Sequence, residues 1–355
     1  MTTLISLSVI IMAIYILSVI TEEFFVTSLE QISEAWKIRP DVAGASLMAM
    51  GSSAPELSIA LLALFKEGGV HSDVGIGTIV GSAVFNILVI TGISAIIRDA
   101  RIKLPVVARD TVFYLIGIGF LLYAFWDGEI TRVEAFLFIA LYAAYIAFLF
   151  FVPMGDESEE LSQVKEKKVG EKKEETEQGG RLGPVKNAIR KIIASLAGDA
   201  EKSYWRAFAV SIALIGGLSW ILVDSAVIFA DSLGIPPLIV ALTLLAGGTS
   251  APDMIASIVV ARQGRGSMAV ANAIGSNIFD ILICLGLPWL IALLFLGKPV
   301  IHVGTDGLLL SIFILVSTVI VLFVFLFTDR TLSKKEGWCL LGIYVAYVVW
   351  TVFAG

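Results

Sequence analysis

Three acidic residues, Glu56, Asp253 and Asp280, lie inside long apolar stretches of this 355-residue sequence. An ionised carboxylate at the centre of a bilayer costs on the order of 3 kcal/mol even on lenient insertion scales, so such a residue marks a functional site by default. The alternative to a functional site is a structural acid that pairs with a basic residue on another helix, but the cores of these stretches contain neither Lys nor Arg. We therefore interpret the three acids as the charged part of a cation site.

Neutral oxygen ligands are spaced to share a helical turn or a helix face with the acids or with one another. The side chains concerned are Ser52, Ser53, Ser82, Asn86, Thr249, Ser250, Ser276 and Asn277. Pro55 and Pro252 have no N–H, which frees the backbone carbonyls of Gly51 and Gly248 four residues earlier. Carboxylate, hydroxyl, amide and carbonyl oxygens suit Ca²⁺ or an alkali cation and are poor ligands for Zn²⁺ or Cu⁺.

The charge of such a site favours exchange. Two or three carboxylates balance one divalent ion or two to three monovalent ions. An empty site leaves these charges uncompensated in an apolar medium. The protein should therefore prefer to turn the site from one side of the membrane to the other with either the divalent ion or the monovalent ions bound. His71 and His302 fall in loops and are expected to be unrelated to the site.

The elements that position these residues must be membrane helices. Hydrophobic residues make up 57% of the chain and charged residues 16%, against about 25% charged in an ordinary soluble domain. A soluble chain of this length could not bury that much apolar surface. The composition argues against a secreted disulfide scaffold, a nucleic-acid binder and a typical soluble enzyme. No nucleophile–base pair or phosphate loop stands out, so we expect no enzyme, and Cys284 and Cys339 are interpreted as packing residues.

Ten apolar runs are long enough to span a bilayer, which takes about 20 residues. They cover residues 4–26, 40–64, 74–97, 105–125, 132–153, 206–230, 237–261, 268–296, 304–328 and 336–354. The predicted fold class is an all-α integral membrane protein with ten transmembrane helices. Glu22 and Glu23 interrupt the first run, which starts without Lys or Arg and is too long for a simple cleavable signal peptide.

A charged segment separates the two sets of five runs. Residues 154–205 contain 10 Lys or Arg and 11 Asp or Glu, whereas the other 303 residues share 35 charges. Residues 156–180 are expected to be a disordered or loosely helical linker. An amphipathic helix follows, with an apolar and a basic face made by Val185, Ile189, Ile192, Ile193, Leu196, Lys186, Arg190 and Lys191. It is expected to lie on the bilayer surface beside anionic headgroups, and the alternative is a solvated juxtamembrane helix without separate function.

Lys and Arg are concentrated in alternate loops, which predicts the orientation. With the N-terminus outside, the inner loops hold the linker and Lys37, Arg39, Arg98, Arg101, Lys103, Arg109, Arg262, Arg265, Arg330, Lys334 and Lys335. The outer loops hold only Lys66, Arg132 and Lys298. We predict a multi-pass protein of the cell membrane, with both termini outside and the linker in the cytoplasm.

The chain is an internal duplication. The motif GSSAPE (51–56) matches GTSAPD (248–253) 197 positions later, and GSAVFN (81–86) matches GSNIFD (275–280) after a three-residue gap. Because each half has an odd number of spans, the second half enters the membrane in the opposite orientation. The expected organisation is two inverted five-helix repeats, 1–153 and 206–355, joined by the cytoplasmic charged linker 154–205. Such repeats are typical of secondary transporters.

These motifs resemble the paired alpha repeats of the sodium/calcium exchanger superfamily, and the resemblance covers both halves but not the linker. Asp253, Asp280 and the runs VGIGTIVGSAVFNIL (74–88) and GSNIFDILICLGLPW (275–289) are most similar to its potassium-dependent branch. The linker is much shorter than the regulatory loops of animal exchangers and carries no DxDxDG calcium-binding loop.

The resemblance implies a role for each motif residue. Glu56 and Asp253 would be the central Ca²⁺ ligands and would share oxygens with Na⁺ sites, while Asn86 and Asp280 would flank them. Asp280 is the residue at which the resemblance implies K⁺ sensitivity. Side-chain oxygens would come from Ser52, Ser53, Ser82, Thr249, Ser250 and Ser276, and backbone carbonyls from Ala49 and Ala246.

The expected function is exchange of Ca²⁺ for Na⁺ by alternating access, with K⁺ as a further ion implied by the resemblance. The alternatives are an H⁺/Ca²⁺ antiporter, in which the acids release protons, and a passive cation channel. The many hydroxyls favour Na⁺, because protons need no extra oxygens, and a channel would not need interrupted inverted repeats. The expected partners are these ions and membrane lipid, with no cofactor, no nucleic acid and no obligatory protein partner.

Overall fold

The structure is a computed structural model that describes residues 2–37, 47, 49–66, 72–101, 104–151, 183–262, 266–295, 297, 299–304, 308–329 and 331–354. These residues are almost entirely helical. The predicted linker 156–180 lies outside the described residues, as do Arg39 and His71.

The helices, numbered along the described part of the chain, fall into two groups on either side of residues 152–182. The first group is α1 (Thr2–Ala35), α2 (Ala49–Ser52), α3 (Ala54–Phe65), α4 (Ser72–Ile97), α5 (Leu104–Ala124) and α6 (Arg132–Phe151). The second is α7 (Gly183–Ala197), α8 (Tyr204–Leu233), α9 (Pro237–Thr249), α10 (Ala251–Arg262), α11 (Gly266–Phe279, continued by Asp280–Leu285 and Gly286–Phe295), α12 (Leu308–Asp329) and α13 (Lys334–Ala354).

Eight of these helices are long and apolar enough to cross a membrane: α1, α4, α5, α6, α8, α11, α12 and α13. The bent pair α9–α10 is a candidate ninth span. The predicted span 40–64 contains α2 and the short apolar helix α3, while its residues 40–46 and 48 lie outside the described residues. An all-α, multi-pass membrane fold is thus confirmed.

The first helix is longer than the predicted span 4–26. It continues to Ala35 because residues Thr21–Val26 adopt a π-helical turn instead of ending the helix at the two acids. Glu23 is accommodated by α7, since Lys186 Nζ lies 3.0 Å and Arg190 Nε 3.2 Å from its carboxylate oxygens. The predicted amphipathic helix is therefore present as α7 and contacts α1.

Two helices form the centre of the bundle. In their most apolar windows, 89% of α4 and 67% of α11 are buried inside the protein, against 22% of α6 and α13. Gly81 lets α4 approach α9 closely, because a Cβ there would clash with the carbonyl oxygen of Leu242 and lie 2.8 Å from Ala246 Cβ. These two central helices carry the second pair of repeated motifs, GSAVFN (81–86) on α4 and GSNIFD (275–280) on α11.

Four short strands join the two halves of the chain. Strand β1 (Ala100–Arg101) pairs antiparallel with β4 (Thr331–Leu332), and β2 (Glu129–Thr131) pairs antiparallel with β3 (Val300–His302). His302 therefore lies in a strand and not in a loop, and its Nδ1 is 3.6 Å from Glu129 Oε1.

Candidate cation site

Both proline motifs interrupt a helix. Ser53 separates α2 from α3 with φ −91° and ψ 12°, and Ser250 separates α9 from α10 with φ −80° and ψ 0°. A proline cannot donate the helical hydrogen bond and its ring clashes with the preceding turn, which explains both breaks. The second break bends the chain by 44°. Each break brings hydroxyl and backbone oxygens next to the acid that follows three residues later.

The three acids lie in the interior on three different helices. Glu56 on α3, Asp253 on α10 and Asp280 on α11 have exposed fractions of 3%, 9% and 1%. They are close enough for their charges to interact with one another. Within the described ranges no ion pair joins any of them to a Lys or Arg, which disfavours the interpretation of structural, paired acids.

Hydroxyl groups from both halves of the sequence lie beside these carboxylates. Thr249 lies near Glu56, Ser52 and Ser276 lie near Asp253, and Ser53 and Ser82 lie near Asp280. The hydroxyls of Ser82 and Ser250 also lie 2.8 Å apart. The structure therefore brings together side chains that are nearly 200 positions apart in the sequence.

Two buried oxygens in this region have no hydrogen-bond partner among the described residues: Glu56 Oε2 and Asn86 Oδ1. Leaving a buried acceptor unsatisfied costs about 1–3 kcal/mol, which a cation ligated by the same oxygen would offset. The described residues contain no group of three or more His, Cys, Asp or Glu side chains placed to hold a metal ion. A cation here would therefore need neutral oxygens as well as the carboxylates.

Backbone carbonyls lie at the same breaks. The Ala49 oxygen accepts a hydrogen bond from the Ser53 N–H at 3.0 Å, and the Ala246 oxygen accepts one from the Ser250 N–H at 3.2 Å. The side chains of Ser52 and Thr249 also reach these oxygens, at 3.3 and 3.5 Å. Each carbonyl oxygen is thus already an acceptor, and its use as a cation ligand would replace the weaker hydroxyl contact.

Three amide and phenol side chains form a connected group beside Asp280. Asn277 Nδ2 lies 3.0 Å from the carbonyl oxygen of Ala83 and 3.0 Å from Tyr114 Oη, and Asn86 Nδ2 lies 2.9 Å from Asn277 Oδ1. The side chains of Asn86 and Asn277 are fully buried, and that of Tyr114 is 1% exposed. This group links α4, α5 and α11.

Sequence reasoning missed two residues of this region. Tyr114 lies outside the repeated motifs, and the nearest acid, Asp110, pairs with Arg109, so no local signal marks Tyr114. Cys284 is buried in the core, as a packing residue should be, but its Sγ is also 3.7 Å from Asp280 Oδ1 and 3.8 Å from the Ser53 carbonyl oxygen. Its position four residues after Asp280, on the same helix face, was a usable signal.

Two acids elsewhere in the spans, Asp110 and Asp224, have basic partners. On α5 Arg109 Nε lies 2.7 Å from Asp110 Oδ1, and the hydroxyl of Tyr145 donates to the same carboxylate at 3.2 Å. Lys66, at the end of α3, pairs with Asp224 on α8. The contrast with these compensated charges distinguishes the three acids of the candidate site.

Fold and site together define a class of protein: a multi-pass membrane protein whose interior presents hard oxygen ligands at two broken helices. The chain belongs to the sodium/calcium exchanger family. A profile of that family, described as "Sodium/calcium exchanger protein", matches residues 5–151 and 203–353.

Similar proteins with curated names are sodium/potassium/calcium exchangers. Exchanger 5 from Homo sapiens is 31% identical over 390 residues, which cover 90% of this chain and 77% of that protein. Exchanger 4 from Mus musculus is 27% identical over 496 residues, which cover 95% of this chain and 79% of that protein. The resemblance to the potassium-dependent branch is thereby confirmed.

Two solved structures share the fold. A structure of the sodium-calcium exchanger NCX_Mj aligns with 98% of each chain at a TM-score of 0.58 and 19% identity. The H⁺/Ca²⁺ exchanger CAX aligns over the whole of this chain and 82% of its own at a TM-score of 0.69 and 15% identity. At these identities the likeness concerns the fold alone.

Proposed function

We propose that this protein is a secondary active antiporter that exchanges Ca²⁺ for Na⁺ across the cell membrane by alternating access. The observation that carries the proposal is the group of three buried carboxylates without a basic partner in the described residues. Such a group needs positive charge, and one divalent ion or two to three monovalent ions supply it equally well. Membership of the exchanger family supports this function and makes the protein a transporter, not an enzyme.

In this proposal the ligands are the oxygens assembled at the two breaks. Glu56 and Asp253 are the central Ca²⁺ ligands and share their oxygens with Na⁺. Asn86 and Asp280 flank them, and K⁺ would act at Asp280. The remaining ligands are the hydroxyls of Ser52, Ser53, Ser82, Thr249, Ser250 and Ser276 and the carbonyls of Ala49 and Ala246. Glu56 Oε2 and Asn86 Oδ1, which have no hydrogen-bond partner in the described chain, are available without breaking any bond.

The proposed architecture is ten spans in two inverted repeats, 1–153 and 206–355. Its support is a set of reciprocal contacts between equivalent residues. Glu56 lies near Thr249 and Asp253 lies near Ser52. A shift of 197 positions converts Glu56 into Asp253 and Ser52 into Thr249, so the two contacts are equivalent. A polar residue also begins a π-helical turn at both Asn86 and Asp280.

The strands support the same symmetry and the proposed orientation. Strand β1 of the first half is equivalent to β3 of the second half, and β2 is equivalent to β4. A twofold rotation that exchanges the halves therefore converts the β1–β4 pair into the β3–β2 pair. The β1–β4 pair also brings Arg98, Lys334 and Lys335 to one end of the bundle. That end is cytoplasmic by the positive-inside rule, which places both termini outside and the 154–205 linker inside.

The decisive experiment is Ca²⁺ uptake into vesicles that contain only the purified protein and lipid. Vesicles loaded with Na⁺ and diluted into Na⁺-free buffer should take up Ca²⁺, and uptake should rise when K⁺ is available for co-transport. A pH gradient in place of the Na⁺ gradient should drive none. Uptake that follows the pH gradient and ignores Na⁺ would identify the H⁺/Ca²⁺ antiporter, and uptake without any counter-gradient would identify a channel.

A further inference from the structure

Both N–H hydrogens and one oxygen lone pair of the Asn277 amide are used in hydrogen bonds within the protein. Its Nδ2 group has two hydrogens, and the two acceptors within 3.0 Å are the Ala83 carbonyl oxygen and Tyr114 Oη. Its Oδ1 accepts from Asn86 Nδ2 at 2.9 Å. Asn277 therefore has no hydrogen left to donate and already uses its oxygen as an acceptor.

This arrangement fixes which way both amides face. A backbone carbonyl only accepts, so Asn277 must turn its Nδ2 towards Ala83 and its Oδ1 towards Asn86. Asn86 must then offer its Nδ2 to Asn277, which turns its own Oδ1 away from this group. That oxygen is buried and has no hydrogen-bond partner among the described residues.

The unpartnered oxygen belongs to the candidate site. Asn86 lies on α4 four residues after Ser82, on the same helix face, and Ser82 lies beside Asp280. A buried amide oxygen without a donor costs free energy unless a ligand satisfies it. A cation bound next to Asp280 would satisfy it.

We propose that Asn277 and Tyr114 are positioning residues: they hold the Asn86 amide so that its Oδ1 faces the transported cation, without contacting the cation themselves. The proposal rests on the cation site proposed above. It assigns Asn277 a different role from the direct ligand expected from the sequence, and it brings α5 into the transport mechanism through Tyr114.

The asymmetry between the two halves has a reason in this arrangement. Positions 83 and 86 of the first half correspond to Asn277 and Asp280 of the second. A carboxylate presents an oxygen in either orientation, so Asp280 needs no amide to orient it, and the position that would supply one is Ala83. Asn86 has one oxygen and one nitrogen, so it needs the orienting amide that Asn277 provides.

The test is a double-mutant cycle on purified protein in vesicles. Tyr114→Phe removes the acceptor for one Asn277 hydrogen, so the KM for Ca²⁺ should rise about three- to tenfold while the maximal rate changes little. In an Asn86→Ala background there is no amide to orient, so Tyr114→Phe should leave the KM unchanged. Tyr145→Phe is the matched control: it removes another buried hydroxyl from a contact to α5, and its KM should equal that of the wild type.

Two outcomes would overturn the proposal: an unchanged KM in Tyr114→Phe, or the same rise in KM with and without Asn86. If Tyr114→Phe does not fold, Asn277→Ala enters the same cycle with the same expectation. A second measurement does not require transport: Ca²⁺ should raise the Tm of the protein in detergent, and the size of this rise in the four variants of the cycle measures the same coupling between Tyr114 and Asn86. Wild-type protein that shows this rise but no Na⁺-driven uptake would contradict the proposed function and leave the positioning test intact.

Discussion

The hydroxyl oxygens of Ser82 and Ser250 lie 2.8 Å apart, although 168 positions separate the two residues. Either hydroxyl can be the donor in this pair. Since a hydroxyl oxygen has two acceptor lone pairs, Ser82 keeps at least one that a cation can use in both cases. Because Ser250 lies in the break between α9 and α10, this contact joins α4 to the broken helix, and the proposed ion binding at Ser82 would be coupled to that packing.

Glu56→Gln should abolish Na⁺-dependent Ca²⁺ uptake. The variant keeps the size of the side chain but removes a charge from a buried site, and losing a charged partner costs about 2–5 kcal/mol. Uptake should therefore fall at least about 30-fold, while size-exclusion chromatography shows a folded protein. Glu129→Gln, a change to a half-exposed acid on β2, is the control and should transport normally. Near-normal uptake by Glu56→Gln would place the site elsewhere.

Asp280→Asn should remove the dependence of Ca²⁺ uptake on K⁺. The change makes the second half resemble the first, which has Asn86 at the equivalent position, and it removes one of the charges that balance the ions. Uptake measured over a range of K⁺ concentrations should become flat in the variant and rise with K⁺ in the wild type. Persistent K⁺ stimulation in the variant would contradict the assignment of K⁺ to Asp280.

Gly81→Ala should destabilise the protein, whereas Gly275→Ala should be tolerated. The two glycines are equivalent in the two halves, but a Cβ at Gly81 clashes with the Leu242 carbonyl, and a Cβ at Gly275 meets nothing within 4 Å. Overpacking a tight contact costs about 1–3 kcal/mol, so Gly81→Ala should lower the Tm of the purified protein. Equal Tm values for both variants would mean that α4 and α9 are not in close contact.

Ile193→Ala should destabilise the docked helix α7, whereas Ile192→Ala should not. Ile193 is 5% exposed and packs with α1 and α8, while its neighbour Ile192 is 64% exposed. Removing the buried side chain costs about 2–5 kcal/mol in a packed core. The measurement is hydrogen exchange of α7 amides, which should accelerate only in Ile193→Ala. Similar exchange in both variants would favour the alternative of a solvated helix without docking.

Much of this protein could be predicted from local sequence. The apolar runs predicted membrane helices, because spanning length and hydropathy are properties of a continuous segment. The repeated prolines predicted an interrupted hydrogen-bond pattern at Gly51 and Gly248, because a missing N–H acts within one turn of the chain. The acids among apolar residues indicated a cation site, because the cost of burying a charge depends little on the details of the fold.

Other features were decided only by tertiary structure. The basic partners of Glu23, at the π-helical turn of α1, come from α7, more than 160 positions away. Tyr114 joins the site because α5 packs against α11, and the orientation of Asn86 follows from a carbonyl and an amide on two helices. A sequence shows which groups are available within one segment. The partner that each buried oxygen receives is determined only when helices from both halves pack together.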